Sequence, residues 1–291
     1  MTGAIEGDSD AASIETRDNQ PRTDDSASDY VRRHRLSTRL WHWTNALAVF
    51  VMLMSGLMIF NAHPRLYWGE YGANFDRAWL QIGSTRDAGY LRVGTLEVPT
   101  TGVLGYRTDA AGNVNRRAFP GWATIPSDYS LSAGRRWHLA FAWLLTIGLL
   151  LYWVTILFNR HVRNLLPRLA ELGPRHLWQE IRDHARLRFP TGEAALKYNT
   201  LQKLSYAAIL FLALPLIVLT GLTMSPGMDA AWPWLVELFG GRQSARSIHF
   251  ICAFAIALFI LVHLLMVLLA GPLNEVRAMI TGRYRVPRAK P

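Results

Sequence analysis

Four stretches of this chain, residues 40–60, 137–158, 204–224 and 247–270, are each at least about 20 residues long and overwhelmingly apolar, the length a helix needs to cross a bilayer core. No other window reaches it. Hydrocarbon offers no partner to a free amide, so a spanning segment must satisfy its backbone internally, and the helix does so within one segment. The fold class expected is an all-α integral membrane protein built as a four-helix transmembrane bundle.

The remainder sorts by charge. Residues 1–30 hold eight acidic and two basic residues and almost nothing apolar, the composition of a disordered tail. They lack the basic segment and adjoining apolar stretch of a signal peptide. Setting their −6 aside from the chain's +10 leaves +16 on residues 31–291, the expected membrane domain. That excess could suggest nucleic acid, but its placement points to lipid. Arg32, Arg33, Arg35 and Arg39 precede the first apolar stretch. Arg160, Arg163, Arg168, Arg175, Arg182, Arg186, Arg188 and Lys197 fill the second connection, and Arg277, Arg283, Arg285, Arg288 and Lys290 follow the fourth stretch. The positive-inside rule puts both termini and the second connection in the cytoplasm of a bacterial inner membrane protein. The first connection, 62–135, is then periplasmic, since loops of that length cross largely regardless of charge.

One cysteine, Cys252, cannot form an intrachain disulfide, hold an iron–sulfur cluster or attach a c-type haem. Histidine is the ligand left for a redox centre. Of the nine histidines, His34, His161, His176 and His184 lie in arginine-rich flanks and His63 just follows the first stretch. His42, His138, His249 and His263 lie in or within a turn of the spans, where an unpartnered polar side chain costs on the order of 1–3 kcal/mol.

Topology pairs these four. His249 and His263 are separated by about 21 Å of helix rise and about 40° of azimuth, so one helix face carries both. With the N-terminus inside, His42 is level with His263 and His138 with His249. One helix could thus supply an axial ligand to each of two stacked haems. Gly56 shares the face of His42 at the depth of the outer pair, where a missing side chain would admit a porphyrin. Arg39 and Arg246 precede ligands by three residues, suited to haem propionates. Interhelical hydrogen bonding and ordinary packing remain the alternatives for these residues.

The segments "RLWHWTNALAVFVMLMSG", "GRRWHLAFAW", "YNTLQKLSYAAILFLALPLIVLTGLTMSP" and "RSIHFICAFAIALFILVH" resemble the prokaryotic cytochrome b561 family. That family includes the di-haem b subunits of nickel–iron hydrogenases and the gamma subunit of formate dehydrogenase. The resemblance implies four axial histidines from the first, second and fourth helices, here His42, His138, His249 and His263. It also implies two b haems and quinone as an electron partner.

The first connection is longer than the core requires. Its "YRTDAAGNVNRRAF" reads as two short strands around a Gly-Asn turn, and an ordered loop of this size suits a docking surface. Loops of this style resemble those of partners of periplasmic molybdopterin oxidoreductases. Residues 161–189 are expected to form a helix in the headgroup layer. Pro215 is expected to kink the third helix, and Met52, Met54 and Met58 to fill the core. No nucleophile–base pair or phosphate loop is visible. The leading function is a di-haem b electron-transfer subunit between a periplasmic oxidoreductase and the quinone pool. The alternatives are a self-contained oxidoreductase using a diffusible reductant such as superoxide or ascorbate, and a haem-free transporter.

Overall fold

The computed structural model describes residues 30–158, 166–186 and 199–286. Its frame is four apolar helices long enough to span a membrane: Leu36–Phe60, Leu131–Phe158, Thr200–Thr223 and Arg242–Ala270. Each begins a turn or more before the apolar stretch that marks it. The added turns carry polar residues such as Arg39, Arg135, Lys203 and Arg242, which the headgroup layer hydrates, so hydropathy alone undercounts these helices.

The helices are apolar on the outside as well as within. Leu151, Phe254, Leu261 and Leu265 are exposed on them, a surface that only lipid or another protein can cover. The inner seam joins Ala48, Met52, Leu149, Tyr152, Ile217 and Ile256. The first helix packs chiefly on the second and the third on the fourth. Small residues permit the approach. A Cβ on Gly148 would stand 2.8 Å from the Trp41 ring, and one on Gly134 2.7 Å from the Met58 side chain. Trp41 stacks on Tyr152 at 5.3 Å.

The break expected at Pro215 takes the form of a π-helical turn, Ile209–Ala213, ahead of the α-helical segment Leu214–Thr223. Proline lacks the amide proton for the carbonyl four residues back and its ring crowds that carbonyl, so a wider turn relieves both problems. The helix start is capped by Asn199, whose side chain accepts from the Gln202 amide at 2.8 Å. Glu180, on the amphipathic helix Pro174–Ala185, accepts from the amides of Thr200 and Leu201 at 3.1 and 2.9 Å. Part of the expected surface segment, residues 161–165 and 187–189, lies outside the described residues.

Residues 61–130 form a small β unit at one end of the bundle. Strands β2 (Arg65–Leu66), β3 (Leu80–Ser84), β4 (Gly89–Val93) and β5 (Leu96–Pro99) make an antiparallel sheet in that order. The hairpin read at the Gly-Asn turn is present as β6 (Arg107–Thr108) and β7 (Val114–Asn115). The larger sheet was not read from the sequence. Its strands are two to five residues long, and β3 contains Gly83, whose missing side chain makes room for the Tyr90 ring across the ladder.

At the other end, β1 (Tyr30–Arg32) pairs antiparallel with β8 (Arg283–Arg285). The segment read as a tail therefore gives way to a strand at Tyr30, while residues 1–29 lie outside the described residues. A helix at Pro272–Thr281 is bound to this ribbon by Arg33, which pairs with Glu275 at 3.3 Å and lies over the Tyr284 ring at 4.5 Å.

Candidate functional site

The four histidines singled out above form two pairs inside the bundle. At the end carrying the β unit, His138 of the second helix meets His249 of the fourth, with ring centroids 6.2 Å apart and planes at 58°. At the end carrying the termini, His42 of the first helix meets His263 of the fourth, at 6.4 Å and 58°. The pairing argued from depth and azimuth is the pairing observed.

These spacings fit one metal centre between each pair. A metal–imidazole bond of about 2 Å on either side, with each nitrogen about 1 Å from its ring centre, sets the centroids roughly 6 Å apart. The rings are tilted to one another and not stacked. A pair of imidazoles without thiolate or carboxylate would suit haem iron, which would supply one-electron chemistry when bound. No group of three or more His, Cys, Asp or Glu side chains that could hold a bare metal ion occurs among the described residues.

The pair near the β unit has its outer nitrogens occupied. His138 Nδ1 lies 3.1 Å from Ser55 Oγ and 3.1 Å from the Met52 carbonyl, and His249 Nδ1 lies 3.1 Å from Thr220 Oγ1. These contacts leave Nε2 as the free donor on each ring. Gly56 stands beside them, since a Cβ there would be 3.4 Å from His138 Cε1. Gly221 repeats this against His249, also at 3.4 Å. Ser55, Thr220 and Gly221 were missed in the sequence, although the Ser-Gly-Leu at 55–57 and Thr-Gly-Leu at 220–222 were a legible signal.

The other pair is held differently. His42 packs edge-on to Trp43 at 5.1 Å, and its Nδ1 is buried without a hydrogen-bond partner. His263 stacks on Phe259 at 5.7 Å. The two arginines brace backbone: Arg246 Nη2 donates to the His63 carbonyl at 2.6 Å, and Arg39 Nη2 donates to the Ile280 carbonyl.

The β unit is fastened to the helix that carries His249. Ser247 Oγ donates to the Tyr67 carbonyl at 2.5 Å and receives the Trp79 indole N–H at 2.9 Å. The amides of Gln243 and Ser244 reach the Gly69 carbonyl at 3.0 and 3.1 Å, which satisfies donors left free in a helix's first turn. Gly241, at φ +104°, permits this crossing, because a side chain there would collide with the Gly69 backbone. His63 stacks on Tyr67 at 5.7 Å. Burial, with Arg246 and Arg65 nearby, holds its imidazole below the ordinary histidine pKa.

The sequence matches the prokaryotic cytochrome b561 family over residues 33–282. The chain belongs to that family. It is 26% identical over 244 residues to a protein of Azospira oryzae named "Putative protein-methionine-sulfoxide reductase subunit YedZ1", covering 84% of this chain and 93% of the relative. It is 24% identical over 262 residues to a "Probable Ni/Fe-hydrogenase B-type cytochrome subunit" of Cupriavidus necator, covering 85% and 83%. A protein of the same name from Azotobacter vinelandii is 23% identical over 262 residues, covering 86% and 85%. As a member of this family the chain is a membrane cytochrome that binds haem b and transfers electrons.

Proposed function

We propose that the chain is a di-haem b subunit that passes electrons between a periplasmic oxidoreductase partner and the membrane quinone pool. The observation that supports it is the presence of two imidazole pairs, at 6.2 and 6.4 Å, near opposite ends of one bundle. His138 and His249 hold one haem, and His42 and His263 hold the other. Each haem, when bound, supplies a one-electron redox couple.

The chain's residues do the rest. Gly56 and Gly221 leave space beside the first pair, and the helices around both pairs exclude water. Arg39 and Arg246 bring positive charge to the two edges, where carboxylate substituents of the cofactor need it. The β unit, anchored on the first turns of the fourth helix, offers the partner a surface close to His249. The relatives named above are subunits of two different oxidoreductases, which supports a catalytic partner here. The narrower form of the proposal makes that partner molybdopterin-dependent. The termini face the cytoplasm, and the quinone is met at their end.

Haem extraction decides the count. Purified protein should release two b haems per chain into acid acetone, since no thioether link retains them. One haem per chain, or none, overturns the proposal. Co-purification tests the partner: a stoichiometric periplasmic oxidoreductase, with molybdenum in the metal analysis, is the expected result. Isolation from the native membrane without any partner refutes that part.

A further inference from the structure

We propose that Ser55 and Thr220 are positioning residues that lower the reduction potential of the haem at the β-unit end, by accepting the Nδ1–H of His138 and His249. This rests on the reading above that these two imidazoles are that haem's axial ligands.

Both hydroxyls are fully buried, and each sits one residue before the glycine that lets the imidazole approach. Ser55 Oγ is 3.3 Å from the Met52 carbonyl and Thr220 Oγ1 is 2.6 Å from the Leu216 carbonyl. Each hydroxyl proton thus has an acceptor on its own helix, which leaves oxygen lone pairs for the imidazole. The two oxygens then meet Nδ1 of their histidines at the same distance, 3.1 Å. The arrangement occurs twice, once between the first and second helices and once between the third and fourth. A serine or threonine turned inward only to satisfy itself needs its own helix carbonyl and nothing more. Here both also meet a ligand nitrogen.

The chemical consequence has a definite sign. An Nδ1–H that donates to an acceptor makes the opposite nitrogen a stronger donor to the metal. A stronger donor favours the ferric state, and the potential falls. The termini end differs, because the Nδ1 of His42 is buried without a partner. Among the described residues the paired hydroxyl contacts occur at the β-unit end, so the device acts on the haem there.

The test is an equilibrium redox titration of the purified full-length protein, with both haem bands followed, on Ser55→Ala, Thr220→Val and the hydroxyl-retaining Ser55→Thr and Thr220→Ser. The expected result is an upward shift in the midpoint of one haem, larger in Thr220→Val than in Ser55→Ala, where the Met52 carbonyl still faces His138 Nδ1 at 3.1 Å, with the other haem unmoved. The low-spin ferric EPR signal of that haem should shift with it, and the hydroxyl-retaining variants should titrate as wild type. An unmoved midpoint in Thr220→Val, a downward shift in either variant, or a shift in the other haem overturns the inference. If Ser55→Ala does not accumulate, Thr220→Val decides, since both act on one haem. His138→Ala and His249→Ala test the underlying reading separately. Loss of different haems in these two would refute the ligand assignment, whereas loss of one shared haem with unmoved potentials in the hydroxyl variants would refute the inference alone.

Discussion

At the scale of single residues, polar groups inside the bundle are the informative ones. Gly221 is closed to larger side chains because its missing Cβ already stands at contact distance from His249. Gly221→Ala should therefore be tolerated, while Gly221→Val should push the ring aside and lower the haem content of the β-unit end, measured by the pyridine haemochrome spectrum. A normal haem content in Gly221→Val would show the space to be unused. His63 supplies a pH dependence. Its imidazole is held below the ordinary value by burial and two arginines, so below about pH 6.5 the unfolded chain takes up a proton that the folded chain resists. Its contribution to stability is thus full above about pH 6.5 and declines as the pH falls toward the depressed folded value. Thermal unfolding in detergent between pH 5 and 8 should show this decline, and His63→Gln should flatten it.

At the scale of elements, the attachment of the β unit to the fourth helix decides how the site meets a partner. Ser247 is central, since one hydroxyl serves both the Trp79 indole and the Tyr67 carbonyl. Ser247→Ala leaves both groups without that partner in a buried place, at a cost of about 1–3 kcal/mol for each unsatisfied group. Limited proteolysis should find residues 61–130 cut faster in Ser247→Ala, with the spanning helices still protected. Unchanged cleavage would mean that the Gly69 contacts to the helix start suffice alone. The third helix shows the same dependence on a neighbour. Glu180 caps it from another helix, and Glu180→Gln should loosen its first turn through loss of the carboxylate's charge at a helix N-terminus, worth about 0.3–1 kcal/mol.

At the scale of the whole molecule, the two imidazole pairs are separated by about 21 Å along the fourth helix. Moving an electron from one pair to the other across the hydrocarbon is worth up to about 2.3 kcal/mol for every 100 mV of membrane potential. Oriented vesicles clamped by an ion gradient should therefore show a redox balance between the two haems that shifts with voltage. If neither band responds while the haems remain in electronic equilibrium, the pairs do not lie at different depths. The orientation proposed for the termini is checked by the same vesicles, because the sign of the response reverses if the β unit faces the other side.

The four helices, their order and the depth of His42, His138, His249 and His263 were all legible in the sequence. Hydropathy over about 20 residues and a rise of about 1.5 Å per residue are properties of one helix at a time. The pairs followed from level and azimuth, since the fourth helix carries two of these histidines on one face. What tertiary structure decided is whatever needs two elements at once. The sheet β2–β5 escapes a sequence reading because Gly83 and Tyr90 make sense only as cross-strand neighbours. Ser55 and Thr220 look like ordinary helix residues until the second and fourth helices turn a ring toward each, and the arginines read as cofactor partners are seen to brace His63 and Ile280 as well. Local chain geometry places a side chain along its own helix, but a hydrogen bond between helices depends on crossing angles and rotations set by packing across the whole bundle.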